Sequence, residues 1–230
     1  MHRAPRESAR PLTCPVKTPH PQPVRSGFSL VEMLVVISIM ATVTVAAFAG
    51  LFGVGGGFKL SGAGNRVSNL ALLARQNSLA KNALTALVMI GNAGTEGDYR
   101  AFRLFEIVPR TDGQPLTSAD WSPLGSWETT PDGVVVDTCT FAPSSVTATP
   151  AMPQITYRDS LVTSYQYVIF LPTGALLGGN SSSVRLVQGF RSPGSQVTTY
   201  TSARGGDGKG ANYYNVFLLG ANGRVKIDRP

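Results

Sequence analysis

Histidine is nearly absent from this chain: there are two in 230 residues, and both His2 and His20 lie before residue 27. From Gly27 onward there is none, which removes histidine-based triads, histidine–metal sites and most general-base schemes. Cysteine is equally scarce, with Cys14 and Cys139 alone. If the first 27 residues are removed, Cys139 has no partner within the chain, and an odd cysteine in an oxidising compartment is either buried or open to another chain. Val134-Val135-Val136 and Phe141 around it favour burial. Charged residues make up only 14% of the chain, and the acidic ones are scattered rather than set at calcium-loop spacing. Gly205-Gly206-Asp207-Gly208-Lys209-Gly210 has neither the spacing of a phosphate loop nor a hydroxyl residue after its lysine, and reads as a surface loop. No metal or cofactor is expected, and the chain does not read as an enzyme.

The longest stretch short of charge is the most informative. From Phe28 to Phe52 run 25 residues whose single charge is Glu32. As a helix this run is about 37 Å long against a hydrocarbon core of about 30 Å, so it can span a bilayer. Leu, Val, Ile, Met and Ala surround the whole helix rather than one stripe, the pattern of a helix with no wet face. A carboxylate inside such a run costs on the order of 2.5–3.5 kcal/mol at mid-bilayer and marks function. A cut between Gly27 and Phe28 would supply a positive partner, a new α-amino group one helical turn from Glu32. An ordinary signal peptide cut at Ala47-Phe48-Ala49, or a plain single-span anchor, would leave Glu32 without a purpose.

Gly27-Phe28-Ser29-Leu30-Val31-Glu32 resembles the cleavage and methylation site of type IV prepilins and pseudopilins. The resemblance implies that a prepilin peptidase cuts after Gly27 and that the new N-terminal Phe28 is methylated. It also implies that Glu32 pairs with a neighbouring subunit's N-terminus during fibre assembly. The implied partners are other pilin or pseudopilin subunits, met through the N-terminal helix, and an inner-membrane assembly platform.

The chain reads as three segments. Residues 1–27 are a leader with five basic residues, one acidic residue and six prolines; it is unfolded and longer than in many prepilins. Basic flanks stay in the cytoplasm, which predicts a single pass in a bacterial inner membrane with the C-terminal domain periplasmic, and a place in a pilus or pseudopilus after assembly. Residues 28–58 are the membrane and assembly helix, closing on a glycine-rich joint at Gly50, Gly53, Gly55, Gly56 and Gly57. Each helical glycine costs roughly 1 kcal/mol relative to alanine, so the helix is expected to be weak or broken there; a hinge and a plain linker are both open. Residues 59–230 form the globular part.

Within that part, Ala63, Val67, Leu70, Ala74, Ala80 and Leu84 recur at helical spacing and predict a helix over 60–82 with one face on a sheet. Strands are expected at 85–90, 99–108, 121–128, 134–138, 165–171, 184–188, 197–201, 214–219 and 224–228, the last two joined through Gly220-Ala221-Asn222-Gly223. Phe170-Leu171-Pro172-Thr173-Gly174 and Gly223-Arg224-Val225-Lys226-Ile227 resemble strand-end elements of H-type minor pseudopilins of type II secretion. The stretch 99–136, with its two tryptophans, is similar to a prepilin-like group named after the Verru_Chthon gene cassettes. The expected fold is α+β and pilin-like, a long N-terminal helix packed on a small antiparallel sheet domain. One alternative comes from charge. Residues 158–230 carry eight basic and three acidic residues, so Arg191, Arg204 and Lys209, with Tyr200, Tyr213 and Tyr214 nearby, are candidate contacts to DNA or another polyanion. A secreted β domain released by signal peptidase is the other alternative.

Overall fold

The computed structural model of the chain describes residues 27–107, 115–143, 151–201, 205, 208 and 210–230, with the side chains of 46–55 outside the description. The chain divides into two units, Met1–Ala47 and Phe48–Pro230. Helix α1 is Leu30–Lys81. Its backbone stays helical through Gly50, Gly53 and Gly55 to Gly57, so the break expected at the glycines is absent, and the segment expected over 60–82 is the later part of the same element. Glycine weakens a helix but, unlike proline, removes no hydrogen-bond donor. Two of the glycines also let other groups come close. A Cβ on Gly56 would lie 2.9 Å from Gln188 Oε1, and one on Gly64 would fall inside the ring of Tyr214.

The described strands of the second unit are β1 Leu84–Ile90, β2 Ala101–Ile107, β3 Trp121–Thr129, β4 Val134–Cys139, β5 Ala142–Pro143, β6 Ile155–Tyr157, β7 Ser160–Val162, β8 Tyr165–Phe170, β9 Ser182–Phe190, β10 Thr199–Tyr200, β11 Tyr213–Leu218 and β12 Val225–Asp228. One sheet has the order β3-β2-β1-β8-β5; a second has β10-β9-β11-β12 with β4 also paired to β9; β6 and β7 form a hairpin. Every pairing is antiparallel. The fold is α+β, as expected.

The core lies on both faces of the first sheet. Leu60, Ala63, Val67, Ala71 and Ala74 form the buried stripe of α1 and meet Leu87 and Met89 of β1, Phe170 of β8, Leu186 of β9 and Tyr214 of β11. Ala80, expected on that stripe, is exposed, and Leu84 opens β1; the stripe continues through Ser78 instead. Ser78 is tolerated there because its hydroxyl donates to the Arg75 carbonyl at 2.8 Å. The alternate residues of β1, namely Ala86, Val88 and Ile90, face a second cluster with Phe105, Trp121, and Ile155, Tyr157 and Val162 of the β6–β7 hairpin. With both faces covered, β1 is apolar along its length rather than alternating.

The two strand-end motifs meet. Gly223, at a φ of 60°, sits where a Cβ would strike the Gly174 carbonyl and approach the Phe170 ring to 3.2 Å. Arg75 of α1 fastens the helix to this joint, donating through Nε to the Asn222 carbonyl at 2.8 Å. At the end of α1, Glu106 accepts from Asn77 at 2.8 Å and from Lys81 at 2.7 Å. The Lys81 bond, then the Asn77 bond, hold its carboxyl below the usual range.

Cys139 is a free thiol, half-buried against the first core. Burial pushes its pKa up to about 12, and the Phe141 N–H points at Sγ from 3.5 Å. At pH 8 it is therefore protonated and a poor nucleophile. A maleimide or disulfide reagent at pH 8 should leave Cys139 unmodified for hours in the native chain and modify it within minutes in denaturant. Rapid native labelling would mean an open thiol.

The helix glycines divide into two kinds that substitution separates. Nothing lies within 4 Å of a Cβ at Gly62, so Gly62→Ala should stabilise by about 1 kcal/mol through helix propensity. Gly64→Ala gains the same propensity but drives a methyl into the buried Tyr214 ring, and should destabilise by about 1–3 kcal/mol. Denaturant unfolding followed by tryptophan emission reads both signs.

Candidate assembly site at the start of the long helix

Gly27, Phe28, Ser29 and Glu32 come together at the first turn of α1. Ser29 is the N-cap: its carbonyl accepts the first helical bond, from the Met33 N–H at 3.2 Å. Its hydroxyl accepts from the Glu32 N–H at 3.2 Å, and Glu32 Oε2 accepts from the Ser29 N–H at 2.9 Å. This is a reciprocal capping box, in which two helix-end donors are satisfied by each other's side chains. The carboxylate also sits at the positive end of the helix dipole. The box was legible as Ser-x-x-Glu immediately before an apolar run, a signal that the reading of Glu32 as a charge in search of a partner passed over.

A carboxylate offers about four lone-pair positions, so one bond to Ser29 leaves room for a further donor. Phe28, one residue before the cap, is 76% exposed. Gly27 is exposed as well; its φ is not left-handed, and nothing lies within 4 Å of a Cβ built on it. Among the described residues, neither backbone strain nor packing requires glycine at that position.

The helix that follows is apolar on every side and uncovered, from Leu30 at 81% exposure through Ile37 to Val45 at 70%. Its three hydroxyls do not break the pattern. Ser38 donates to Leu34 O at 2.8 Å, Thr42 to Ile39 O at 2.9 Å and Thr44 to Met40 O at 2.6 Å, so each is satisfied within the helix. Among the described residues no helix is long and apolar enough to cross a membrane. The side chains of 46–55, which complete the 25-residue run read from the sequence, lie outside those residues.

Of the other candidates, Gly53, Gly55, Gly56 and Gly57 lie within α1, far along the chain from Glu32. Arg191 is committed inside the second unit. It stacks 3.9 Å from the Tyr99 ring centroid, and donates to Thr198 Oγ1 at 2.6 Å and to the Asp137 carbonyl at 2.7 Å. Tyr200 donates to Asp137 Oδ1 at 2.7 Å and is partly exposed, while Tyr214 is buried and its ring is not an open stacking surface. Arg204 and Lys209 lie outside the described residues.

The family described as prokaryotic N-terminal methylation motif matches residues 23–48. The chain is therefore prepilin-like at its N-terminus. No curated protein matches it. Solved structures similar to it include the type IV minor pilin FimU of Pseudomonas aeruginosa strain PAO1 in two crystal forms. One is 8% identical with a TM-score of 0.40, covering 74% of this chain and 92% of that one. The other is 11% identical with a TM-score of 0.41, covering 74% and 97%. The minor pseudopilin EpsH of the Vibrio cholerae type 2 secretion system is 8% identical with a TM-score of 0.42, covering 75% of this chain and 98% of that one. These scores are too low to carry any property from those proteins to this one.

If the capping box holds the first turn, Ser29→Ala should cost about 1 kcal/mol locally. Amide exchange at residues 30 to 33 in micelles should quicken roughly fivefold while the rest of α1 is unchanged; Ser29→Thr should restore protection. Unaltered exchange in the alanine variant would show that the cap does not hold the turn.

Proposed function

We propose that this chain is a prepilin-like subunit, cut after Gly27 by a prepilin peptidase and N-methylated on Phe28, that assembles into a type IV pilus or a type II secretion pseudopilus as a minor subunit. The observation that carries the reading is the methylation motif in register with an exposed apolar helix whose first turn holds Glu32. Gly27 supports it, since among the described residues nothing demands a glycine there and the proposed peptidase would. Before assembly the chain sits in a bacterial inner membrane with residues 1–27 in the cytoplasm and the β domain in the periplasm, the orientation favoured by the basic leader.

Assembly follows from two properties of the helix. An all-round apolar helix is covered either by lipid or by other such helices, so extraction from the membrane requires neighbours. The charge on Glu32 opposes burial among those neighbours unless a cation meets it. In this reading the Phe28 amine of an adjacent subunit is that cation, and the Ser29 bond holds the carboxylate at the helix end where the amine arrives. The glycine-rich stretch Gly53 to Gly57 is the part of α1 with the lowest helix propensity and is the proposed hinge if the helix bends on assembly.

Mass analysis of the N-terminal peptide from the protein's own membranes tests the processing. N-methylated Phe28 is expected; Gly50 at the N-terminus would mean a released secreted domain, and an intact Met1 a plain anchor. Glu32→Ala should insert and be processed, yet enter fibres at least tenfold less than wild type. A variant that assembles normally would remove the role given to Glu32.

A further inference from the structure

A cleft of about 690 Å³ opens in the second unit, within the roughly 300–1,000 Å³ range of ligand sites. Arginines come to it from four elements: Arg66 from α1, Arg100 at the head of β2, Arg158 from the β6–β7 turn and Arg191 beyond β9. Its carboxylates do not balance them in kind. Asp98 is buried and spends its oxygens on the N–H groups of Gly94, Thr95 and Gly194, at 2.9 to 3.0 Å. Glu96 pairs with Arg158 at the surface.

The remaining charge gathers at one point. Arg66 donates to the Thr129 carbonyl at 3.3 Å and Arg100 to the Thr130 carbonyl at 3.0 Å, so two guanidiniums rest on successive peptide units. Arg100 Nε is buried with no hydrogen-bond partner. Asp132 supplies a carboxylate to Arg100 at 2.6 Å and is 95% exposed, while Arg66 is held by the Thr129 carbonyl. Lys59 also acts on Asp132 and, behind Arg100, helps hold its carboxyl below the usual range. The backbone enforces the arrangement. Tyr99 sits at a φ of 56°, a left-handed conformation strained for an aromatic residue, and it is pinned under Arg191. The strained residue immediately precedes Arg100 and sets where it enters the cleft.

We propose that this cleft binds an acidic peptide segment, one carboxylate of which takes Arg66 and Arg100 together in place of Asp132. A guanidinium fork suits carboxylate and phosphate alike, but the surroundings favour peptide. A nucleic-acid strand needs a continuous basic track and open aromatic faces. Here Tyr99 is covered by Arg191 and Tyr157 is buried, so neither ring is open for stacking. A peptide needs no such face, only a carboxylate that reaches the arginines. The site lies in the second unit and holds whether or not the chain is processed at Gly27.

The test uses the full chain in neutral detergent and a fluorescein-labelled Gly-Glu-Gly-Glu-Gly peptide at low salt, read by anisotropy. Saturable binding is expected, weakened about tenfold by Arg66→Gln, as for loss of a charge-assisted pair. Asp132→Asn, which removes the competing carboxylate from a fully exposed position, should tighten binding several-fold. Arg224→Gln, an exposed arginine elsewhere, should change nothing. Absence of binding by wild type, or an Arg66→Gln variant that binds as well as wild type, would overturn the proposal. So would an Arg66-dependent preference for a thymidine oligonucleotide over the peptide.

Discussion

The second unit depends on how closely α1 can approach the sheets. The buried stripe is made of small residues, Ala63, Gly64, Ala71 and Ala74, interrupted by Leu60 and Val67. Small residues bring the helix backbone down onto large partners, and the Tyr214 ring fills the space that a side chain at Gly64 would occupy. Tyr214 then reaches past the backbone to donate its hydroxyl to Asn65 Oδ1 at 2.7 Å. Glycine 64 thus sacrifices about 1 kcal/mol of helix propensity for a contact worth more, since a fully buried aromatic contributes about 1.5–3 kcal/mol by burial alone. Arg75 and the joined turns around Gly174 and Gly223 fix the same helix at its other end.

The N-terminal unit poses the opposite problem. Among the described residues the side chains of its helix are exposed, and the one charge it carries lies in the first turn. A capping bond from Ser29 satisfies one lone pair of Glu32 and contributes about 1 kcal/mol at the helix end. That is less than the 2.5–3.5 kcal/mol by which an ionised acid at mid-bilayer is disfavoured. The cap sets where the carboxylate points, and one bond leaves it further lone pairs for another donor.

Legibility from sequence followed the strength of periodicity. The apolar run, the strands β1 to β4, β8, β9, β11 and β12, and the final hairpin were visible because each is long or is bounded by turn residues. β5, β6 and β7, of two or three residues, are too short to show alternation, and β10, expected over 197–201, is only Thr199–Tyr200. Trp127 Nε1 donates to Thr156 O of β6 at 3.0 Å, and Trp121 Nε1 to Ala151 O, before that strand, at 2.9 Å. The helix stripe was misread at Ala80 and Ser78 because composition favours alanine over serine in a core, while geometry counts turns. The helix runs through the glycines because glycine lowers propensity but, unlike proline, keeps its hydrogen-bond donor. At the site, Gly27, Phe28 and Glu32 were legible as a motif, whereas the cleft was not, since Arg66, Arg100 and Asp132 meet only after α1, β2 and the β3–β4 turn are brought together.

Charge is used in two ways across the molecule, and the difference lies in what holds each group. Lys81 with Glu106, and Arg158 with Glu96, are neutralised by their opposite and act as fastenings. Glu32 is held by the Ser29 N–H, and Arg66 by the Thr129 carbonyl. A peptide dipole orients a charged side chain without cancelling its charge, so the field beyond it survives. A charge held by backbone is positioned but unspent, and a second molecule bearing the opposite sign meets it without first breaking an ion pair. That asymmetry sets Glu32 in the first turn of α1 and Arg66 at the edge of the cleft apart from the ion-paired groups, among which are Arg100 and Asp132.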